Sequence, residues 1–173
     1  MSFRLRQSGR IWLGEFTALT DAGFTNGCSC RLHGASSIVP DGFNLALHVG
    51  DAAELVLANR RQFAAALGVD AAKFTTCAQV HGSKVAKVTA DLVGSGAAAF
   101  ADTVAGTDAL ITDLPGVPLL LFYADCVPVL LADPESGAVG LAHAGWRGSV
   151  GEIALKTVQA MQQHYGSRPE KLL

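Results

Sequence analysis

The part of this chain that most constrains its fold is a run of four short apolar segments between positions 107 and 145. Turn residues such as Gly, Pro and Asp separate them, a pattern typical of β-strands joined by turns. The four predicted strands are "TDALITD" (107–113), "VPLLLFYAD" (117–125), "CVPVLLAD" (126–133) and "GAVGLAHAG" (137–145). The segment that follows, "GSVGEIALKTVQAMQQHYG" (148–166), has apolar residues at helical spacing and predicts an amphipathic helix.

The earlier part of the chain predicts a second helix over "DAAELVLANRRQFAAALGV" (51–69), with Asp51 as its N-cap and Gly68 as its stop. Loops are predicted at 41–51 and 94–106. Further strands are predicted in "GEFTALT" (14–20), "GFTNGCSCRLHG" (23–34), "KFTTCAQV" (73–80) and "HGSKVAKVTA" (81–90). Strands dominate the middle and helices lie before and after them, which indicates an α+β (mixed α/β) domain with mixed sheets flanked by helices. No repeat or shift in composition marks a boundary, so a single domain over 1–173 is expected.

Composition excludes several classes of function. Half of the 173 residues are apolar and 16% are charged, which favours a compact globular protein over a disordered one. A net charge of −2 without a Lys/Arg cluster argues against nucleic-acid binding. The apolar runs are too short and interrupted for a membrane span, and the four cysteines are expected to be reduced thiols in a cytoplasm.

Three potential metal ligands each follow or begin an apolar strand: His81 after "TTCAQV", Cys126 after "LLLFYAD" and His143 after "AVGLA". Since strand ends can converge at one edge of a sheet, these distant positions can meet in space. Two His and one Cys suit zinc, and three protein ligands leave a fourth position open for water or substrate, as in catalytic sites. Small residues beside each imidazole leave room for an approaching molecule.

Two other interpretations remain open on the residues alone. Cys126 and His143 could form a thiolate–imidazolium pair, with Asp125 orienting the ring, although this dyad leaves His81 unexplained. Alternatively, the three residues could be ordinary members of the core.

A second constellation suits an anion. Arg31 lies on a Gly-containing turn in "CSCRLHGAS", and its fork of donors could hold a phosphate or a carboxylate. In "FNLALHVGD", Asn44 and His48 are candidate substrate contacts, although a loop histidine bonded to backbone is the simpler interpretation of His48. Arg60 is expected to be solvated on its helix.

At these motifs the chain resembles the YfiH/YlmD-like family, which is also labelled "laccase domain" or polyphenol oxidase. The resemblance runs from about residue 24 to the end. The motifs in family order are "FNLALHVGD", "NRRQFAAALG", "QVHGSKV", "TDALIT", "ADCVPVLLADP" and "AHAGWRG". The family is similar in fold to toxin deamidases of the cytotoxic necrotizing factor type, which use a Cys–His pair. The resemblance implies that His81, Cys126 and His143 bind zinc.

The resemblance also implies activity: phosphorolysis of adenosine, inosine and methylthioadenosine, and hydrolytic deamination of adenosine. The implied partners are a purine nucleoside and phosphate, held by Arg31 with Asn44 or His48 and by Arg147, while Asp125 orients a ligand or exchanges protons. The rival functions are a Cys126–His143 hydrolase acting on an amide such as a cell-wall precursor, a copper polyphenol oxidase, and a metal-binding module without catalysis. A true laccase needs several clustered histidines, and this chain has five scattered ones.

Two departures from the family pattern are visible. The family turn usually reads Arg-x-Gly-Gly, and here His33 replaces the first glycine, although glycine takes conformations that histidine avoids. The family also continues into a Gly-Pro-x-Ile segment and further strands beyond the final helix, so the chain is expected to lack the family's C-terminal segment.

Overall fold

The structure is a computed structural model that describes residues 2–173, and it divides into two compact units on either side of residue 71. The first unit has an antiparallel sheet and the second a mixed one, each with separate helices, which confirms the α+β fold class. The assignment of residues 1–173 to one domain stays a prediction, because compact units of this kind can belong to one domain or to two. No helix among residues 2–173 is long and apolar enough to cross a membrane.

The first unit contains a three-stranded antiparallel sheet in the order β1-β2-β3. Its elements are β1 (Phe3–Ser8), β2 (Ile11–Phe16), α1 (Thr17–Asp21), β3 (Cys28–Ser29), β4 (Leu32–Ser36) and α2 (Ala53–Leu67). The loop prediction for 41–51 is confirmed, since no helix or strand lies there. The prediction of a strand over 14–20 is wrong in its second half, because β2 ends at Phe16 and α1 follows. There the Asn26 side chain accepts the Phe16 N–H and donates to the Phe16 carbonyl, which ends the ladder and lets the α1 turn begin.

Helix α2 confirms the helix predicted after position 51. It buries Val56 and Phe63, and it ends at Gly68, which takes a left-handed conformation with φ +70°. The predicted N-cap is wrong, because Ala52 occupies that position. The Asp51 carboxylate instead accepts hydrogen bonds from side chains outside the helix, as described below.

The second unit is built on a four-stranded mixed sheet in the order β5-β6-β8-β7. Its strands are β5 (Val85–Lys87), β6 (Ala109–Thr112), β7 (Val127–Ala132) and β8 (Val139–Ala144), followed by the helices α3 (Trp146–Val150) and α4 (Ile153–Tyr165). Strands β5 and β6 are parallel and the other pairs are antiparallel. Helix α4 packs on the sheet where Gly140 of β8 has no side chain, since a Cβ there would lie 3.0 Å from the Met161 sulfur.

Two predicted strands, 73–80 and 117–125, form only single bridges, Thr75 with Leu119 and Cys77 with Val104. The reason lies in Gln79, whose side-chain amide replaces the backbone in this pairing. Its Nε2 donates to the Phe122 carbonyl at 2.8 Å, and its Oε1 accepts the Phe122 N–H at 2.9 Å. The two segments therefore lie side by side without a continuous ladder, and each can diverge just before a candidate ligand.

Candidate metal centre

The second unit brings His81, Cys126 and His143 together. Their potential ligand atoms all lie within 4.8 Å of one another. His81 lies in the loop before β5, Cys126 directly precedes β7, and His143 is the fifth residue of β8. The expectation that His143 follows its strand is therefore wrong by two residues, because β8 continues through Ala144 in register with Val127 of β7.

A fully buried carboxylate, Asp108, organises two of these three side chains. Its Oδ1 lies 3.0 Å from Nδ1 of the buried His143 ring. The same carboxylate accepts the backbone N–H groups of Val80 (3.2 Å), His81 (2.9 Å) and Gly82 (2.7 Å). Burial would raise the pKa of Asp108, but the bonds from His143 and from the three backbone groups outweigh it and lower the pKa.

This hydrogen bond decides which nitrogen of His143 is available to a metal. A carboxylate accepts only, so Nδ1 carries the proton in the neutral ring and Nε2 keeps its lone pair. Histidine ligands of metals are commonly oriented in this way by a carboxylate. The donor set, one thiol and two imidazoles with one ring already oriented, therefore fits zinc.

Backbone strain accompanies the other two candidate ligands. His81 has φ +60°, and Asp125, next to Cys126, has φ +76°. Residues with a side chain seldom adopt this left-handed region, and such conformations concentrate at functional sites. The strain turns both chain segments sharply at the cluster.

Gly145 leaves room beside all three side chains. A Cβ at this position would lie 3.0 Å from Cys126 Sγ, 3.3 Å from His81 Cδ2 and 3.9 Å from His143 Cε1. The first two of these distances are tighter than most real Cβ contacts. The glycine in "HAG" is thus the residue that keeps space beside the cluster, as the sequence predicts for small neighbours.

Two further predicted residues lie in the same unit. Asp125 is exposed and directly precedes Cys126. Arg147, in α3, is exposed and its guanidinium carbon lies 5.3 Å from the centre of the Trp146 ring. The roles of Asp125 and Arg147 in binding or catalysis stay predictions.

The remaining predicted contacts, Arg31, Asn44 and His48, belong to the first unit. The Asn44 amide donates to the Ala46 carbonyl at 3.0 Å and to the Asp51 carboxylate at 3.0 Å, and its oxygen accepts the Ala46 N–H at 2.9 Å. Asn44 therefore shapes its own loop, and its role as a substrate contact stays a prediction.

Arg31 is exposed directly before β4, and His33, the second residue of β4, takes φ +71°. A histidine thus holds a left-handed conformation that glycine adopts at lower cost. Partial burial and the charge of Arg60 lower the pKa of His48. The expectation of a solvated Arg60 is wrong: its side chain is 2% exposed and donates to the Leu45 carbonyl, and burial lowers its pKa to about 10.

Sequence reasoning missed Asp108 and Gln79. Asp108 carried one signal, because an acidic residue directly before the buried strand "ALIT" needs partners inside the fold. Nothing in a glutamine at position 79 indicates that it pairs with backbone 43 residues away.

Comparison with known proteins gives consistent matches. The family model described as multi-copper polyphenol oxidoreductase laccase matches residues 25–173. "Purine nucleoside phosphorylase YlmD" from Geobacillus stearothermophilus is 45% identical over 150 residues, which cover 86% of this chain and 54% of that protein. "Adenosine deaminase RL5" from an unknown prokaryotic organism is 39% identical over 120 residues, 69% of this chain and 46% of that protein.

Among solved structures, the crystal structure of YlmD from Geobacillus stearothermophilus is similar with a TM-score of 0.90 and 39% identity. The match covers 99% of this chain and 63% of the solved chain. This chain thus spans about half the length of the curated relatives that it matches.

Proposed function

Since the chain belongs to the multi-copper polyphenol oxidoreductase laccase family, we propose that it is a zinc-dependent purine nucleoside phosphorylase that also deaminates adenosine. The proposed substrates of phosphorolysis are adenosine, inosine and methylthioadenosine. The observation that carries the proposal is the cluster of His81, Cys126 and His143, within 4.8 Å of one another, in a chain similar to proteins named for both activities.

Zinc is the proposed metal because of the donor set. One thiol and two imidazoles suit zinc, and copper is the alternative that the same donors allow. Within residues 2–173 this is the one group of three or more potential ligands, whereas a multicopper oxidase needs several copper centres. Bound zinc supplies Lewis-acid activation at neutral pH.

The residues of this chain have distinct proposed roles. His81, Cys126 and His143 hold the metal. In phosphorolysis a phosphate oxygen bonds to ribose C1′ while the bond from C1′ to the purine nitrogen breaks, and the leaving base takes up a proton. Asp125 is the proposed group for that proton exchange. In deamination, a water oxygen bonds to the purine carbon and the amine leaves as ammonia.

Anion binding is proposed for Arg147, which lies four residues after His143 in the same unit. An arginine fork suits phosphate. The roles of Arg31, Asn44 and His48 as phosphate or nucleoside contacts stay predictions.

Exposed apolar residues adjoin the candidate ligands in the sequence and favour an aromatic substrate over a fully polar one. Val80 adjoins His81, Val127 adjoins Cys126, and Trp146 follows Gly145; they are 57%, 59% and 73% exposed. An exposed indole offers a stacking surface for a base, and such stacking is worth about 1–3 kcal/mol.

The test is to incubate the zinc-loaded chain with adenosine, with and without phosphate, and to identify the products by chromatography. Adenine formed only with phosphate indicates phosphorolysis, and inosine in both samples indicates deamination. The Cys126→Ser variant is the control, because it keeps the shape of the side chain and removes the thiol. If a folded, zinc-bound chain forms neither product, the proposal is wrong for this chain.

One observation favours a second candidate, a Cys126–His143 hydrolase of amides. The bond from His143 to the buried Asp108 is the orienting contact that a cysteine nucleophile and its base require. In that case metal-free protein should react rapidly with iodoacetamide at Cys126 at neutral pH, and the Asp108→Asn change should slow the reaction.

A further inference from the structure

Asp108 connects two chain segments that carry candidate ligands. Asp108 is 0% exposed, and both of its carboxylate oxygens have hydrogen-bond partners. Oδ1 accepts from the His81 N–H and lies beside His143 Nδ1, while Oδ2 accepts the N–H groups of Val80 and Gly82. One side chain therefore contacts the loop around His81 and the ring of His143 simultaneously.

We propose that Asp108 is the positioning residue that assembles the metal site before any metal binds. It holds the 80–82 turn and fixes His143 with its proton on Nδ1. This inference rests on the proposed function, because it assigns the cluster to a metal. Asp108 itself contacts neither metal nor substrate in this account, and it acts through His81 and His143.

The backbone of the 80–82 turn supports this role. His81 holds a left-handed φ of +60°, which a residue with a side chain rarely adopts. Such a conformation persists only when surrounding contacts determine it. Three consecutive N–H groups that converge on one carboxylate supply those contacts, with distances of 3.2, 2.9 and 2.7 Å.

The bond to His143 supports the second part of the role. The His143 ring is buried against the Tyr123 ring at 5.6 Å and the His81 ring at 4.8 Å between centroids. Since the carboxylate accepts the Nδ1 proton, Nε2 is the nitrogen left for a metal. The backbone carbonyl of Asp108 also accepts the His143 N–H at 2.8 Å, and a side-chain substitution leaves this contact in place.

Asparagine is the discriminating substitution because it has almost the same shape. Its amide has one acceptor oxygen, so it cannot accept hydrogen bonds on both sides as the carboxylate does. The matched control is Asp133→Asn. Asp133 is 2% exposed and likewise accepts a backbone N–H, from Glu135, and a side-chain donor, Ser136. It follows β7 at the end opposite Cys126, away from the cluster.

The first measurement is the zinc affinity of the 173-residue chain and of both variants, by competition with a chromophoric chelator. We expect Asp108→Asn to weaken zinc binding about 10- to 100-fold and Asp133→Asn to leave it unchanged. Equal affinities in wild type and Asp108→Asn would overturn the proposal. So would an equal loss in both variants, because that result indicates general destabilisation.

The second measurement needs no variant and no metal. Nitrogen-15 NMR of the metal-free wild-type chain, at a pH where the His143 ring is neutral, reports which ring nitrogen carries the proton. We expect Nδ1–H, and Nε2–H would overturn the proposal even if Asp108→Asn fails to fold. A wild-type chain that binds no zinc but shows Nδ1–H contradicts the proposed metal function and leaves the positioning of His143 supported.

Discussion

Gly145 sets the room available beside His81, Cys126 and His143, and a single added methyl group tests this. We expect Gly145→Ala to weaken zinc binding about tenfold or more, because the new Cβ would lie 3.0 Å from Cys126 Sγ and displace the thiol. The measurement is chelator competition. Gly27→Ala is the matched control, since its Cβ would meet only the Leu67 side chain within the first unit. Equal affinity in the two variants would contradict this account.

The Asp51 carboxylate accepts hydrogen bonds from hydroxyl and amide donors, and these bonds make the stability of the fold depend on pH in acid. Burial raises its pKa, but bonds from Ser37, Asn44 and Ser36 outweigh burial and hold the pKa well below its ordinary value of 3.8. Its stabilisation is therefore present above about pH 4 and is lost as the pH falls further. We expect Asp51→Asn to lower the free energy of unfolding by about 2 kcal/mol at neutral pH and by less near pH 2.

Urea unfolding between about pH 2 and pH 7 measures this difference. Asp21→Asn removes an exposed carboxylate of the same unit and controls for the change in net charge. A gap between wild type and Asp51→Asn that does not shrink in acid would show that the carboxylate contributes no pH-dependent stability.

Residue types revealed the three ligand candidates but not the groups that orient them. His81, Cys126 and His143 stand out in the sequence because few polar side chains adjoin those apolar runs. Gln79 pairs with backbone groups alone and Asp108 with three backbone N–H groups besides the His143 ring, and a backbone N–H is the same in every residue except proline. Their partners therefore become visible only when the chain is folded.

Glu152 separates α3 from α4, where the sequence predicts one continuous helix over 148–166. The residue holds φ +61°, and this left-handed conformation interrupts the helix between Val150 and Ile153. We expect Glu152→Gly to raise the free energy of unfolding by up to about 1 kcal/mol, because glycine adopts this conformation without strain. Glu152→Ala keeps the strain and should bring no gain. Thermal unfolding compares the three chains, and a destabilised Glu152→Gly would refute this explanation.

The sequence predicts a helix or strand correctly where residues close together in the chain decide the structure. The helical spacing of apolar residues in α2 and the glycine that ends it, Gly68, are local features. The strands over 109–112, 127–132 and 139–144 lie within the segments predicted to be strands. The segments 73–80 and 117–125 are also apolar, and each is buried in part, at residues 74–77 and 120–121. Their pairing fails because the Gln79 side chain occupies the place of a backbone partner.

Metal binding should stabilise the whole folded chain. At a free zinc concentration 100 times the dissociation constant, we expect the free energy of unfolding to rise by about 2.7 kcal/mol, if the unfolded chain binds no zinc. Thermal unfolding with and without zinc measures the effect. Cys126→Ser should abolish the shift, whereas Cys30→Ser, which removes another half-buried thiol, should retain it. A shift that survives in Cys126→Ser would place the zinc elsewhere.

The register of β8 between β6 and β7 has a consequence for biosynthesis. His143 pairs with Pro128 on one side, and its N–H bonds to the Asp108 carbonyl on the other, so its position depends on strands that are synthesised after His81. His81 is synthesised well before His143, and in the interval the nascent chain lacks part of the ligand set. On the proposed function, metal would therefore bind only after the sheet has been synthesised, because a shorter nascent chain offers only part of the ligand set.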